Sequence, residues 1–142
     1  MTGISLEQAN AIVQNALSKG AELKLQPLTI TVLDAGGHAI ALARQDGAST
    51  LRPQIAHGKA ATALALGVNS RKVGEMAQDR PTFIAALGSL APDGIVPAAG
   101  GVLVVNDTGQ VIGAVGITGD TSDQDEICAL AGIAAAGLDA LS

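Results

Sequence analysis

The sequence predicts an α/β domain of the α+β kind, an antiparallel sheet flanked by helices, and two observations carry that reading. Two strand–turn–strand blocks, LTITVLDAGGHAIALAR over 28–44 and GVLVVNDTGQVIGAVGIT over 101–118, join β-branched apolar runs through turns rich in Asp, Asn and Gly. Each block runs directly into a helical pattern that opens with polar residues, QDGASTLRPQIAHGKA after the first and GDTSDQDE after the second. Hairpins followed by helices give an antiparallel sheet with helices laid on it. At 142 residues, the chain is expected to form a single domain over 1–142.

Ser5 with Gln8 has the form of a capping box, and Leu6, Ala9, Val13, Ala16 and Leu17 then fall on one helical face that ends near Gly20. After Pro27, the alternation of Leu28, Ile30 and Val32 with Thr29 and Thr31 predicts a half-buried strand. Asp34-Ala35-Gly36-Gly37 supplies its turn and His38–Arg44 the return strand. A second helix is expected from Ser49 or Thr50 to about Gly67, with Pro53 tolerated in a first turn that has no intrahelical donor to lose. That helix has almost no polar face. Arg52, Ala56, Lys59 and Ala63 share one stripe and His57, Ala60 and Leu64 another, so it should be covered on both sides, the second cover being a neighbouring subunit.

Helical pieces over 71–77 and 81–87 lead into a loop over 88–100, punctuated by Pro92, Gly94 and Pro97 and long enough to carry function. The second hairpin turns at Asn106-Asp107-Thr108-Gly109. Its last strand, with Gly113, Ala114 and Gly116, has so little side chain that another element must approach it closely. Thr121 or Ser122 caps a final helix of small residues.

Composition limits the function classes. The apolar share of 48% is reached with one Phe, no Trp and no Tyr, so the core is aliphatic and small. At roughly 25 cal/mol per Å² such residues gain little each, and a homo-oligomer that buries more surface is expected. A net charge of -5 argues against nucleic acid. The single Cys128 allows neither an intramolecular disulfide nor a thiolate cage, which points to the cytoplasm. The opening MTGISLEQAN has no basic region followed by an apolar stretch, and no apolar run is long enough to span a bilayer, so neither export nor membrane insertion is expected.

Candidate site residues follow from side-chain chemistry. Arg44 and Asp46 bracket the turn into the long helix, where the guanidinium either clamps a ligand carboxylate or pairs locally with Asp46. His57 in an Ala-rich covered helix is either a base, proton donor or metal ligand, or a satisfied interface histidine. Lys59 either holds an anionic group or snorkels past alanines to solvent. Gly100-Gly101 could present backbone N–H groups to a ligand. No GxxxxGK[ST] is present and no GxGxxG opens a helix after a strand, so no nucleotide is expected. Asp120, Asp123, Asp125 and Glu126 either coordinate a cation or, more simply, cap the last helix and complement its macrodipole. Cys128 is a small core residue unless the helix start lowers its thiol pKa. His38 and Met76 are structural unless one serves as an axial ligand.

With these residues in view, TVLDAGGHAIALARQDGAS, HGKAATALALG, AAGGVLVVNDTGQVIGAVGITGDTSDQDE and CALAGIAAAGL together resemble the GlcG and HbpS family of haem-binding-protein-like domains, over nearly the whole chain. The chain is also similar to the C-terminal part of PduO-type corrinoid adenosyltransferases, which is distinct from their catalytic part. The resemblance implies a profilin-like layout, assembly into dimers and up to octamers, haem binding in some members and association with catabolic pathways in others. It assigns no axial ligand.

The expectation is thus an oligomeric cytoplasmic small-ligand-binding protein for haem or a related tetrapyrrole. Arg44, Arg52, His57 and Lys59 would meet propionates or iron, with His57 the candidate iron ligand and Gly100 and Gly101 beside them. The alternatives are a lyase or isomerase acting on a carboxylate-bearing metabolite, with His57 and Lys59 catalytic and Arg44 or Lys59 as anion anchor, and an accessory subunit of a catabolic operon.

Overall fold

The computed structural model describes residues 3–142. Helix α1 (Leu6–Glu22) precedes the hairpin β1 (Thr29–Asp34) and β2 (Ala39–Arg44). Helices α2 (Arg52–Leu66), α3 (Ser70–Asp79) and α4 (Pro81–Leu87) follow. The chain then forms the hairpin β3 (Gly101–Val105) and β4 (Val111–Thr118), helix α5 (Ser122–Ala135) and a two-residue strand, β5 (Asp139–Ala140). The five strands form one antiparallel sheet in the order β2-β1-β4-β3-β5. Helices α1 and α5 cover one face over a core of Ile12, Ile30, Val32, Val115, Ile117 and Ile133. Helix α2 lies on the other, over a smaller core of Leu33, Ala60, Ala63, Leu103 and Ala114.

Local signals explain most boundaries. The Ser5–Gln8 capping box forms in both directions, Ser5 Oγ accepting from the Gln8 N–H and Gln8 Oε1 from the Ser5 N–H. In the first turn Asp34 Oδ1 accepts the N–H groups of Gly36 and His38. In the second, Asn106 Oδ1 accepts those of Thr108 and Gln110.

Three expectations are corrected. The buried stripe of α1 is Ala9, Ile12, Val13, Ala16 and Gly20, whereas Leu6 is 59% exposed. Strand β1 is buried on both faces, because it is an inner strand with helices above and below. Its threonines lie under α2, Thr31 pairing with Gly116 against the Ala56 carbonyl. The second cover of α2 comes from the chain's own 88–100 loop: Val96 packs over Gly58, and its N–H donates to Thr62 Oγ1 at 2.8 Å. The expected close approach to β4 is made by α2 at Gly116.

Cys128 lies fully buried in the α1/α5 core, and burial pushes its thiol up to about 11. In the folded protein Cys128 is therefore expected to resist dithionitrobenzoate at about pH 8, where only the thiolate reacts. One thiol per chain should titrate after unfolding in guanidinium; prompt native-state labelling would contradict the packing.

Candidate functional site

Strand β2 is an outer strand of the sheet, and its Leu42 is 48% exposed. Paired residues of neighbouring strands share a face, so the pairs Thr31↔Leu42 and Thr29↔Arg44 place Leu42 and Arg44 on the same side of the sheet as α2. Pro53 lies in the first turn of α2, and His57 stands one turn further on the flank that looks towards Leu42. A cleft of about 330 Å³ results, lined by Leu42, Pro53, Gln54, His57 and Asp93. The His57 side chain is 30% exposed, and its Nε2 lies 3.5 Å from Asp93 Oδ1. A second hollow of about 250 Å³ shares Asp93 and continues between Ala61, Leu64 and the first hairpin turn.

Two guanidiniums stand at one end of this face. Arg52 Nη1 donates to Thr118 Oγ1 at 2.7 Å, and Thr118 pairs across β1 with Thr29, the partner of Arg44. Arg44 is exposed and, among the described residues, forms no ion pair; the local pairing expected with Asp46 is absent. The cleft thus combines a partly buried imidazole, a neighbouring carboxylate and an apolar wall, while the two cations stand further along the same face of the sheet.

Lys59 is placed elsewhere. It does not snorkel: its side chain is 4% exposed, and Nζ donates to Asp125 Oδ2 at 3.1 Å and to the Ile117 carbonyl at 3.0 Å. Burial lowers the Lys59 amine and raises the Asp125 carboxyl, each opposed by the attraction of the other. Gly100 and Gly101 serve this same interior. A Cβ on Gly101 would overlap the Lys59 carbonyl, and the Gly101 N–H already donates to Ser70 Oγ at 2.7 Å. Their backbones therefore bring β3 against α2 and α3 and do not open to the His57 cleft.

The acidic cluster is not one cap but several different contacts. Thr121 caps α5 by accepting from the Gln124 N–H. Asp120 accepts from Gln26 and Thr121, Asp123 and Glu126 hold Arg71, and Asp125 is the counter-ion of Lys59. Among the described residues no group of three or more His, Cys, Asp or Glu could hold a metal ion. His38 is exposed beside Asp34, and Met76 is half-buried in α3.

Roomier hollows exist, about 810 Å³ at the hairpin tips and about 700 Å³ between α3, α5 and the C-terminus. In the first, Asp34 is already the acceptor of its own turn, and in the second Arg71 is held by Asp123 and Glu126. Chemistry rather than volume therefore selects the His57 cleft. Asp93 and Leu42 were not legible as site residues. Asp93 follows Pro92 in a turn sequence that reads as loop punctuation, and Leu42 reads as core in an apolar strand.

Residues 4–134 match the family model described as haem degrading protein HbpS-like. Over 119 residues the chain is 39% identical to Protein GlcG of Escherichia coli strain K12, covering 81% of each. Over 126 residues it is 31% identical to an uncharacterized 15.0 kDa protein from the dhaT-dhaS intergenic region of Citrobacter freundii, covering 89% of this chain and 87% of that one. The fold matches that in the crystal structure of a PduOC:heme complex, with a TM-score of 0.87 and 24% identity over 99% of this chain and 100% of the other. HbpS superposes with a TM-score of 0.80 and 25% identity, over 94% and 90%.

Proposed function

This chain belongs to the HbpS-like family, and we propose that it is an oligomeric, cytoplasmic small-ligand-binding protein that takes haem or a related tetrapyrrole in the cleft beside α2. The observation that carries this reading is the His57 imidazole, half-buried between Asp93 and the apolar wall of Leu42 and Pro53.

The donor set fits a tetrapyrrole. One imidazole would suffice to hold the iron, and the contact of Nε2 with Asp93 would leave the other ring nitrogen free to bind it while orienting the ring, the usual role of a carboxylate behind a metal-binding histidine. Leu42 and Pro53 would offer apolar contact to the macrocycle. Arg44 and Arg52 would pair with the carboxylates at its rim. A bound haem would supply an iron centre whose reactivity the surrounding polarity tunes. The cleft's volume of about 330 Å³ is at the low end for a ligand site, which suits a ligand that a second subunit also covers.

Haem titration of the apo-protein followed by absorbance, with bovine albumin as a non-specific control, tests this. Saturable binding with a Soret band that His57→Ala alters is expected. Asp93→Asn should weaken binding by roughly 10–100-fold. A Soret shift indifferent to His57→Ala would move the iron ligand elsewhere, and absence of saturable binding would sink the haem reading.

The His57–Asp93 contact also favours a second reading, a lyase or isomerase in which His57 moves a proton and Arg44 anchors a substrate carboxylate. In that case His57→Ala abolishes turnover, and a carboxylate metabolite raises the melting temperature of the wild type.

A further inference from the structure

Arg52 is half-buried at the start of α2, yet among the described residues it forms no ion pair, and its guanidinium donates to the neutral Thr118 hydroxyl at 2.7 Å. The interior repels it: burial and then the Arg52 charge push the Lys59 amine down, and Asp125 is already the partner of Lys59. Asp120, two residues beyond Thr118, accepts from the Gln26 and Thr121 N–H groups instead. Helix α2 has no side-chain cap and no acidic residue in its first turn, so the positive end of its dipole is unopposed beside Arg52.

A second cation and an unsatisfied hydroxyl lie next to it. Thr118 pairs with Thr29 and Thr29 with Arg44, so these three side chains follow one another across β4, β1 and β2 on the α2 side of the sheet. Arg44 is exposed and also without an ion pair among the described residues. Thr29, between them, is fully buried, and its Oγ1 has no hydrogen-bond partner. A buried hydroxyl left unpaired costs stability, and this one stands between two guanidiniums that lack a carboxylate.

We infer that Arg52, Thr29 and Arg44 form a subsite for one ligand carboxylate, separate from the His57–Asp93 cleft and further along the same face of the sheet. The fork of Arg52 matches the two oxygens of a carboxylate, the Thr29 hydroxyl donates to one of them, and Arg44, exposed and unpaired, closes over the anion. A phosphate would call for several backbone N–H groups, and Pro53 removes one from the first turn of α2. Leu42, which lines the cleft, and Arg44 are two residues apart on one strand face, roughly 7 Å, so a single ligand can reach both. The inference deepens the reading of the cleft by fixing the ligand class: an apolar body joined to a carboxylate, which is either the rim group of a tetrapyrrole or a free organic acid.

The test begins with the protein without haem, melted in butyrate or in inorganic phosphate at constant ionic strength. Butyrate should raise the melting temperature more than phosphate does, and Thr29→Val and Arg52→Gln should each need roughly tenfold more butyrate, or beyond, for the same rise. Thr29→Ser, which keeps the hydroxyl, should keep the response. Thr31→Val is the control: it removes the other unpaired hydroxyl of β1, packed under α2 beside Gly116, and should leave the response intact. Haem and its dimethyl ester, whose carboxylates are blocked, then separate the two sources. Weaker binding of the ester by the wild type, with the difference lost in Arg52→Gln, assigns the subsite to the tetrapyrrole rim. A butyrate response without haem binding sinks the tetrapyrrole reading and leaves the subsite to a free acid. Haem and ester bound alike with no butyrate response overturn the subsite and leave the haem reading standing. A phosphate response equal to that of butyrate, or a loss in Thr31→Val equal to that in Thr29→Val, also overturns it.

Discussion

Asp125→Ala is expected to destabilise the protein by about 3–5 kcal/mol, the range found when one member of a buried ion pair is removed. The Lys59 ammonium would stay in the interior with the Ile117 carbonyl as its remaining partner, and the Asp120 N–H would lose the acceptor it has at 3.0 Å. The loss should depend on pH. Burial already holds the Lys59 amine below its ordinary 10.5 in the intact protein, and without Asp125 that depression deepens. Between the folded and unfolded values the unfolded chain binds more protons, so stability rises with pH through that window. The cost of the buried charge is full below the folded value and fades as pH climbs towards 10.5. Urea denaturation at about pH 7 and about pH 9 should therefore show a smaller deficit at the higher pH. Lys59→Met combined with Asp125→Leu should recover most of the loss, since replacing both charges by apolar groups is often neutral. A deficit below about 1 kcal/mol, or one that the double variant leaves unchanged, would mean that the pair does not bear on stability as argued.

Gly116→Ala should cost roughly 3 kcal/mol or more, at the upper end for overpacking. A Cβ there would overlap the carbonyl of Ala56 and crowd the N–H of Ala60, both backbone atoms that no rotamer change can move aside. Helix α2 would have to lift from β4, and with it His57 would leave its place opposite Leu42, so ligand affinity should fall with stability. Gly67→Ala is the control: its φ of 70° resembles other turn glycines, but a Cβ meets nothing within 4 Å, so the expected cost is about 1 kcal/mol, with the site undisturbed. Comparable thermal shifts for the two variants would show that α2 yields more easily than this packing requires.

Features that depend on nearby residues were legible in advance. The Ser5–Gln8 box, Pro53 in the first turn of α2, the Asp34 and Asn106 turns and the Thr121 cap each rest on contacts within a few positions, and all of them formed. Both hairpins and the close approach to Gly116 were likewise readable, because apolar alternation and missing side chains report directly on strands and on crowding. The C-terminal strand β5 was not, since two residues carry no periodicity. His57 stood out because a histidine is rare in an Ala-rich covered helix, and Arg44 because it stands at the turn into that helix, whereas Asp93 became visible only when the loop folded back over α2.

The sequence by itself therefore determined every element except β5, their order, the antiparallel pairing of both hairpins and the family to which the chain belongs. Only the tertiary structure decided which polar residues meet. Lys59 lies 66 positions from Asp125, His57 reaches Asp93 through a loop, and Arg52 joins Thr118 across the sheet. Whether a lysine snorkels or an aspartate caps a helix depends on which partner the packing brings within about 3 Å, because in a low-dielectric interior an unpaired charge costs more than any local preference returns.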